Sequence, residues 1–227
     1  MEGLLVVDKP LGVSSMDVVR RVRRAAGLGR RFKVGHAGTL DPLATGVVVC
    51  CLGKATRAVE QLMGLTKVYD AVVDLSAFTT TDDREGERQE VAVAQIPDEA
   101  TVRQVLATFI GEVEQVPPVY SAVHVDGQRA YKLARRGEQP DMPARTVRID
   151  AIELNRYDWP LLDITVTCGR GTYIRSLARD IGVRLGTGGH LASLRRTAVG
   201  PYTLDKAVTF DRLESPLRQE DLLPTPA

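Results

Sequence analysis

Hydrophobic residues recur at helical spacing in three stretches of the chain. In SSMDVVRRVRRAAGLG, Ser14 and Asp17 have the form of a capping box, the apolar residues make one stripe, and Gly27 stops the helix. Residues 98–110 repeat this spacing in an amphipathic, acidic segment. The stretch TYIRSLARDIGVRL, which follows Gly171, places its isoleucines and leucines on one face. These patterns predict three helices.

Short apolar or alternating stretches predict strands. VVVCCLG, residues 47–53, is rich in β-branched valine and short, which is typical of a buried strand. Residues 67–76, 146–157 and 161–170 alternate or stay apolar, and the last of them leads through a glycine turn into a helix. No internal repeat and no Gly/Ser-rich linker divides the sequence. We therefore expect a single domain over residues 1–227 that mixes helices and strands.

Composition narrows the class of protein. Of the 227 residues, 44% are hydrophobic and 26% are charged, which is ordinary for a soluble globular domain. No run of eighteen apolar residues occurs, and the N-terminal MEGLLVVDKP lacks the pattern of a signal peptide. We expect a cytoplasmic protein that does not span a membrane.

Cysteine and histidine positions argue against a metal centre. Cys50 and Cys51 are adjacent and Cys168 is remote, so neither a disulfide framework nor a Cys-x-x-Cys zinc pattern can be written. No two of the three histidines, at positions 36, 124 and 190, share a metal-ligand spacing. We expect reduced core thiols and no bound metal.

Charge is distributed unevenly, although the net charge is only +1. Residues 1–70 carry a net charge of +5 and residues 129–200 carry +6, whereas the intervening residues 71–128 carry −8. If both basic blocks fold onto one side, they form the positive surface that a phosphate backbone requires. Solvated helix faces would have the same composition. Charge alone leaves both interpretations open.

Candidate chemistry concentrates in GHAGTLDPLATG, residues 35–46. The chain has neither a phosphate-binding G-x-x-x-x-G-K-[ST] loop here nor a G-x-S-x-G hydrolase elbow. Asp41 has two interpretations. Followed by Pro42, it is a common helix N-cap pair. Alternatively, the three glycines let the backbone approach a ligand beside the carboxylate, and His36 adds a donor or a stacking surface.

Six segments occur in this order: VVDKPLGVSS, GHAGTLDPLATGVVVCCLGKATR, KVYDAVV, VPPVYSAVHVDGQRAYKLARRG, RGTYIRSLARDIGVRLG and GGHLASLRRTAVG. Together they extend over about residues 3–210 and resemble the TruB family of tRNA pseudouridine synthases. The resemblance implies the α+β fold of pseudouridine synthases, with a mixed, largely antiparallel central sheet flanked by helices. It also implies that Asp41 lies in a cleft across the middle of this sheet.

The resemblance implies catalytic roles for three residues. Asp41 resembles the catalytic aspartate, which attacks the target nucleotide or takes a proton from its ribose, so that the uracil leaves and rejoins through carbon 5. Tyr69 resembles the tyrosine that stacks on the target base, and Arg175 resembles the arginine that pairs with the aspartate. Without the family, the favoured interpretations are that Tyr69 is a half-buried strand residue and Arg175 a solvated helix residue.

Four further residues resemble the family's substrate-binding residues. Lys9 matches a lysine near the active site, and His36 a histidine that stacks inside the RNA loop. Tyr173 and Leu194 match residues that line the pocket. Judged by sequence alone, Lys9 could be an exposed turn residue, and Leu194, at helical spacing, could equally be a core residue.

The segment from about 120 to 145 resembles the thumb-like insertion that closes on the RNA. Its substrate-binding candidates are Arg135, Arg136 and Arg145, in a stretch that also contains Arg129 and Lys132. Arginine and lysine side chains hold phosphates and so position RNA without reading its sequence.

Two features depart from the family pattern. Ser76 stands where glycine is usual and Thr80 where aspartate is usual, while Asp83 keeps its place. In addition, only a short tail, about residues 211–227, follows the match. We therefore expect no C-terminal PUA domain of the kind that family members commonly have.

Taken together, the resemblance implies a tRNA pseudouridine synthase that modifies the T-loop uridine at position 55. It would bind the T-arm stem-loop, need no metal or other cofactor, and act as a monomer. Three alternatives stay open: an RNA-binding or tRNA-folding protein without catalysis, a pseudouridine synthase of another RNA, and a nucleoside or glycoside hydrolase that releases the base.

Overall fold

The computed structural model describes residues 1–29, 31–121, 123–125, 127–134, 136–138 and 140–226. The chain falls into two compact units. Unit 1 comprises Met1–Tyr69 and Leu194–Ala227, and unit 2 comprises Asp70–Ser193. The prediction of one catalytic domain over the whole chain stays a prediction.

Strands are more numerous than helices along the described residues. The strands are β1 (Gly3–Lys9), β2 (Val34–His36), β3 (Thr45–Leu52), β4 (Lys67–Asp74), β5 (Ala77–Thr79), β6 (Arg88–Glu90), β7 (Gly111–Gln115), β8 (His124–Val125), β9 (Gln128–Arg129), β10 (Arg145–Asp158), β11 (Leu161–Cys168), β12 (His190–Val199), β13 (Tyr202–Thr203) and β14 (Val208–Thr209). The helices are α1 (Ser15–Ala25), α2 (Val59–Gly64), α3 (Glu99–Ala107), α4 (Ala130–Ala134) and α5 (Ile174–Leu185). Short 3₁₀ turns lie at Gly53–Ala58, Leu204–Lys206, Asp211–Glu214 and Gln219–Asp221.

In unit 1, strand β3 is the centre of a mixed sheet. It pairs antiparallel with β1 along its whole length and with β2, and parallel with β12. Strand β14 adds to β1 in parallel. Alternate residues of β3 face two separate core clusters, so both faces are buried. This explains why its sequence reads as one continuous apolar run.

Helix α1 covers one face of this sheet. Ser14 is its N-cap, and the capping box with Asp17 is formed in both directions. The apolar stripe of Val18, Val19 and Val22 is fully buried in the cluster that also contains Leu5 and Val48. The helix predicted from the sequence is therefore confirmed, with its arginines on the outer side.

The C-terminal residues of unit 1 pack against its N-terminal strand. Leu213 and Leu217 are buried in the same cluster as helix α1. Leu223 exchanges two main-chain hydrogen bonds of 2.8 Å with Leu4 of β1. Segment 211–223 is thus part of the core of unit 1.

In unit 2, strands β7, β10 and β11 pair antiparallel in succession. Strands β5 and β6 form one separate hairpin, and β8 and β9 form another. The predicted strands at 146–157 and 161–170 correspond to β10 and β11, and the predicted glycine turn leads into α5. Helix α3 begins at the N-cap Asp98 as predicted but ends at Ala107, three residues before the predicted end.

The predicted α+β class, with mixed and largely antiparallel strand pairing, is confirmed. Within the described residues of segment 120–145, the chain forms the hairpin β8–β9 and helix α4. No helix in the described ranges is long and apolar enough to cross a membrane.

Candidate active site

Asp41 lies in a turn of unit 1 between β2 and β3. Ala44 donates its main-chain N–H to the carbonyl of Asp41 at 3.0 Å, and Gly12 donates to the carbonyl of Pro42 at 2.8 Å. No helix follows Pro42. The N-cap interpretation of Asp41 is therefore wrong: this residue begins a turn, and its half-buried carboxylate does not cap a helix.

The first turn of α1 fixes the residue before Asp41. The hydroxyl of Ser15, which is buried, donates to the carbonyl of Leu40 at 2.9 Å and accepts the N–H of Leu40 at 2.8 Å. One side chain thus satisfies both main-chain groups of Leu40. The capping box that starts α1 thereby also sets the position of the loop that presents Asp41.

Arg196 of β12 is buried beneath the same loop. Its guanidinium donates to the carbonyls of Val47 at 2.7 Å, Gly38 at 3.2 Å and Thr39 at 3.3 Å, and the residue is only 1% exposed. Gly46 adopts φ of +104°, and a Cβ there would lie 2.1 Å from the carbonyl oxygen of Arg196. Only glycine fits at this position, which explains one of the glycines of the motif.

Lys9, the last residue of β1, is a second buried cation in this region. Its ammonium donates to the carbonyl of Pro10 at 3.0 Å and to the carbonyl of Ala44. The pKa of Lys9 is lowered to about 8. Burial is the main cause, the negative charge of Asp41 opposes the decrease, the positive charge of Arg196 adds to it, and the negative charge of Asp8 opposes it. The interpretation of Lys9 as an exposed turn residue is therefore wrong.

Neither Lys9 nor Arg196 has a carboxylate at ion-pair distance within the described residues. Both cations instead bind carbonyls of the loop that contains Asp41 or of the residues next to it. Unit 1 therefore presents Asp41 on a loop that Ser15, Lys9 and Arg196 bind through its main chain.

The buried ammonium of Lys9 leads to a prediction about stability and pH. Lys9→Met keeps the length of the side chain and removes the titrating group. Between about pH 8 and pH 10.5, the unfolded wild type binds a proton that the folded protein has lost, so its stability rises with pH. The wild type should therefore gain stability relative to Lys9→Met across this range, as measured by urea unfolding.

Lys54→Met is the matched control because Lys54 is largely exposed. Its stability difference from the wild type should not change between pH 8 and pH 10.5. A difference between the wild type and Lys9→Met that stays constant or falls with pH would show that the ammonium is not held in a desolvated site.

Tyr69 and Leu194 lie on β4 and β12. Both are half-buried and pack against the core cluster of unit 1 that contains Leu40 and Ala44, the residues before and after the Asp41 turn. Leu194 is part of a strand, so the helical spacing considered for it is wrong. Both side chains thus pack around the cluster that supports Asp41.

His36 closes β2 and is half-buried. Burial lowers its pKa, the charge of Arg196 lowers it further, and a hydrogen bond with the Gly38 main chain opposes them. The imidazole is therefore neutral at neutral pH, which suits stacking better than binding of phosphate. Its Nδ1 is buried without a hydrogen-bond partner in the part of the chain that the structure describes.

In unit 2, Arg175 occupies the first turn of α5 and is buried. It pairs with the carboxylate of Asp83 at 3.3 Å and donates to the carbonyls of Thr81 at 3.3 Å and Tyr120 at 3.0 Å. Asp83 also accepts the hydroxyl of Thr81 at 2.6 Å and the N–H of Glu85 at 3.0 Å. The solvated-helix interpretation of Arg175 is wrong, since its guanidinium is fixed from several sides.

The two residues that depart from the family pattern, Ser76 and Thr80, form hydrogen bonds in the same region. Ser76 donates its N–H to the carboxylate of Asp74 at 2.8 Å, and the hydroxyl of Thr80 accepts the N–H of Glu87 at 3.1 Å. The turn that carries Asp83 is thus formed with serine and threonine in these places.

The substrate-binding candidates of the insertion differ in their surroundings. Arg145 stacks on the ring of Tyr173 at 4.8 Å and donates to the carbonyl of Gly171 at 2.9 Å. Arg136 is exposed and pairs with Glu138 at 2.9 Å. Arg135 lies outside the described residues.

Sequence reasoning missed two buried polar residues that organise the candidate site. One is Arg196 beneath the Asp41 loop, and the other is Gln115, which binds the main chain of Tyr173. In the alternating strand sequence SLRRTAV, an arginine on the inward face is a signal that could have indicated Arg196. Across the described ranges, no group of three His, Cys, Asp or Glu side chains is arranged to hold a metal ion.

Two family models match the sequence. The TruB family pseudouridylate synthase (N terminal domain) matches residues 23–174. The tRNA pseudouridylate synthase B C-terminal domain matches residues 175–223. The two matches are contiguous and include Asp41, Tyr69 and Arg175.

Curated relatives are similar over nearly the whole chain. The tRNA pseudouridine synthase B of Thermobifida fusca (strain YX) is 52% identical over 220 residues, which cover 93% of this chain and 74% of that protein. The tRNA pseudouridine synthase B of Burkholderia mallei (strain NCTC 10247) is 46% identical over 220 residues, which cover 97% and 72%.

Solved structures share the fold. A crystal structure of a Cbf5-Nop10-Gar1 complex matches with a TM-score of 0.72 and 32% identity, covering 93% of this chain and 54% of that chain. A structure of an H/ACA RNP bound to a substrate RNA containing 2'-deoxyuridine matches with a TM-score of 0.69 and 30% identity, covering 93% and 52%. The chain spans about half the length of the solved chains it matches.

Proposed function

We propose the function of this chain from its family: the chain belongs to the TruB family of pseudouridylate synthases. It isomerises uridine to pseudouridine in tRNA, at the T-loop uridine of position 55. The observation that carries the catalytic assignment is the Asp41 loop, held by Ser15, Lys9 and Arg196. A carboxylate on a loop whose main chain is bonded by several side chains is held in place, as nucleophilic or basic catalysis requires.

The reaction rearranges one nucleotide and needs no second substrate. Asp41 attacks the nucleotide or removes a proton from its ribose, and the bond between uracil N1 and ribose C1′ breaks. The base turns, and its C5 forms the new bond to C1′ as the bond to Asp41 breaks or as Asp41 returns the proton to the ribose. The C5 proton is then lost and N1 gains one, so the mass is unchanged and no electrons are transferred.

Aromatic side chains support the extraction of the base from the RNA stack. An enzyme that acts on a base must unstack it, which costs a few kcal/mol, and aromatic rings can replace the lost stacking. In the proposed function, Tyr69 and Tyr173 stack on the target base, and His36 stacks in the RNA loop. Arg175 has the role that the resemblance implies for it.

The RNA partner is the T-arm stem-loop of tRNA. Arg136 and Arg145 contribute cations at the insertion, together with the exposed Arg129 and Lys132. Such contacts hold the phosphate backbone and locate a folded loop by its shape. The protein acts in the cytoplasm as a monomer and needs no bound cofactor, because the substrate supplies every reacting atom.

Analysis of the product separates this function from its alternatives. A synthetic T-arm stem-loop is incubated with the 227-residue protein, digested to nucleosides and examined by chromatography with mass detection. We expect one uridine to be replaced by a nucleoside of equal mass with the retention of pseudouridine. Unchanged uridine with bound RNA would identify a binding protein, and free uracil would identify a hydrolase. Either result would contradict the proposal.

A further inference from the structure

The start of helix α5 is not specified by its own sequence. Its N-cap is Tyr173, which makes no side-chain capping bond, whereas Ser, Thr, Asp and Asn are the residues that cap helices. The first turn contains no acidic residue and instead carries Arg175, although a positive charge is unfavourable at a helix N-terminus. The position of these two residues must therefore be fixed from outside the helix.

Gln115 supplies that outside contact. This residue ends strand β7 and is only 3% exposed. Its amide Nε2 donates to the carbonyl of Tyr173 at 3.1 Å, and its Oε1 accepts the N–H of Tyr173 at 2.8 Å. A single buried side chain thus binds both main-chain groups of the N-cap residue, as a neighbouring strand would do.

The residues after Gln115 continue along α5. The carbonyl of Val116 accepts the hydroxyl of Ser176 at 2.8 Å and the guanidinium of Arg179 at 3.0 Å. The carbonyl of Tyr120 accepts the guanidinium of Arg175 at 3.0 Å. The chain that leads into segment 120–145 is therefore bonded to the first two turns of α5.

The C-terminal end of segment 120–145 also contacts the start of helix α5. Arg145, which begins β10, stacks on the ring of Tyr173 and donates to the carbonyl of Gly171. Both ends of segment 120–145 thus contact the turn that carries Tyr173 and Arg175. A displacement of either end would move these two side chains.

From these contacts we infer that Gln115 is a positioning residue: it fixes the main chain of Tyr173, and with it the start of the helix that carries Arg175, at the place that both ends of segment 120–145 contact. This inference rests on the proposed function, in which Tyr173 and Arg175 belong to the pocket. Gln115 itself does not touch the substrate. Its role is to fix where the helix begins, and a misplacement of about 1 Å at such a site can lower the rate about a hundredfold.

The first test replaces Gln115 by methionine, which has a similar length but cannot make either hydrogen bond. We expect kcat for pseudouridine formation to fall by about ten- to a hundredfold while KM changes little, because the geometry of the pocket is affected more than RNA binding. Gln104→Met, the same change at an exposed position of α3, is the control and should keep the wild-type kcat. If Gln115→Met does not fold, Gln115→Glu, which keeps the acceptor for the Tyr173 N–H, is measured instead with the same expectation.

A double-mutant cycle with Arg145→Met separates positioning from a merely structural role. Since both side chains act on Tyr173, their effects on kcat should be less than multiplicative, whereas independent effects multiply. The inference is overturned if a folded Gln115 variant keeps the wild-type kcat, if only KM changes, or if the two effects multiply. Wild-type protein that forms no pseudouridine would instead refute the proposed function, so the two failures are distinguishable.

Discussion

Replacing Asp41 by asparagine is expected to lower kcat for pseudouridine formation by about four orders of magnitude or more, as removal of a catalytic nucleophile or base does in other enzymes. Asparagine keeps the shape of the side chain but can neither attack as a nucleophile nor accept a proton. The loop around Asp41 is held by Ser15, Lys9 and Arg196, so its fold should survive the substitution. Single-turnover rates measure the loss of catalysis. RNA affinity and thermal unfolding should both stay close to the wild-type values.

Asp8→Asn is the control for the loss of one negative charge in unit 1. Like Asp41, Asp8 interacts electrostatically with Lys9. Asp8 lies on β1, outside the Asp41 loop, and its carboxylate pairs with Arg195 at 2.8 Å. This variant should keep kcat within a few fold of the wild type. An Asp41→Asn protein with activity within tenfold of the wild type would end the assignment of Asp41 as nucleophile or base.

Removal of the Arg196 guanidinium should have the second-largest effect, on stability and activity together. In Arg196→Met, the carbonyls of Gly38, Thr39 and Val47 lose a buried donor, and each buried polar group left unpaired costs about 1–3 kcal/mol. Because the costly burial of the charge is also relieved, we expect a net loss of about 2–4 kcal/mol in the free energy of unfolding. The Asp41 loop should loosen, and kcat should fall with it.

Two further variants show whether the effect of Arg196→Met comes from the guanidinium of Arg196 itself. Arg195→Met changes the preceding residue of β12, whose side chain is 41% exposed and pairs with Asp8, so it should cost less than about 1 kcal/mol. Arg196→Lys keeps the charge but lacks the planar fork that reaches several carbonyls, and it should lie between the wild type and Arg196→Met. For each variant, urea unfolding gives the free energy of unfolding and steady-state kinetics give kcat. An Arg196→Met protein as stable and active as Arg195→Met would refute the role of Arg196 in holding the loop.

The parts of the fold that could be predicted depend on interactions between residues that are close together in the sequence. The capping box of Ser14 and Asp17 and the valine stripe of α1 act over one or two helical turns, so the sequence pattern was enough to place this helix. The apolar run of β3 has a similar explanation, because a strand buried on both faces consists mainly of apolar residues. Even so, α3 ends three residues early, since the apolar spacing continues into Phe109 and Ile110 after the helical hydrogen bonds have stopped.

The sequence motif located the candidate site but could not give its geometry. An aspartate followed by proline is compatible with a helix N-cap and with a turn, and the choice depends on contacts with Ser15 and Arg196. Arg196 lies 149 to 158 positions along the chain from the carbonyls it binds. A donor to main-chain carbonyls leaves no signature at its partners, because every residue has a carbonyl. Gln115 could not be identified from the sequence either, because its partner is also a main chain, that of Tyr173.

Mapping pseudouridine along a tRNA transcript tests the central claim most directly. An unmodified transcript is incubated with the protein, treated with a carbodiimide that forms a stable adduct on pseudouridine, and read by reverse transcription, which stops at each adduct. We predict a single strong stop at the T-loop uridine of position 55, which is absent when Asp41→Asn replaces the wild type. A transcript without any stop, or with stops at other uridines only, would contradict the account.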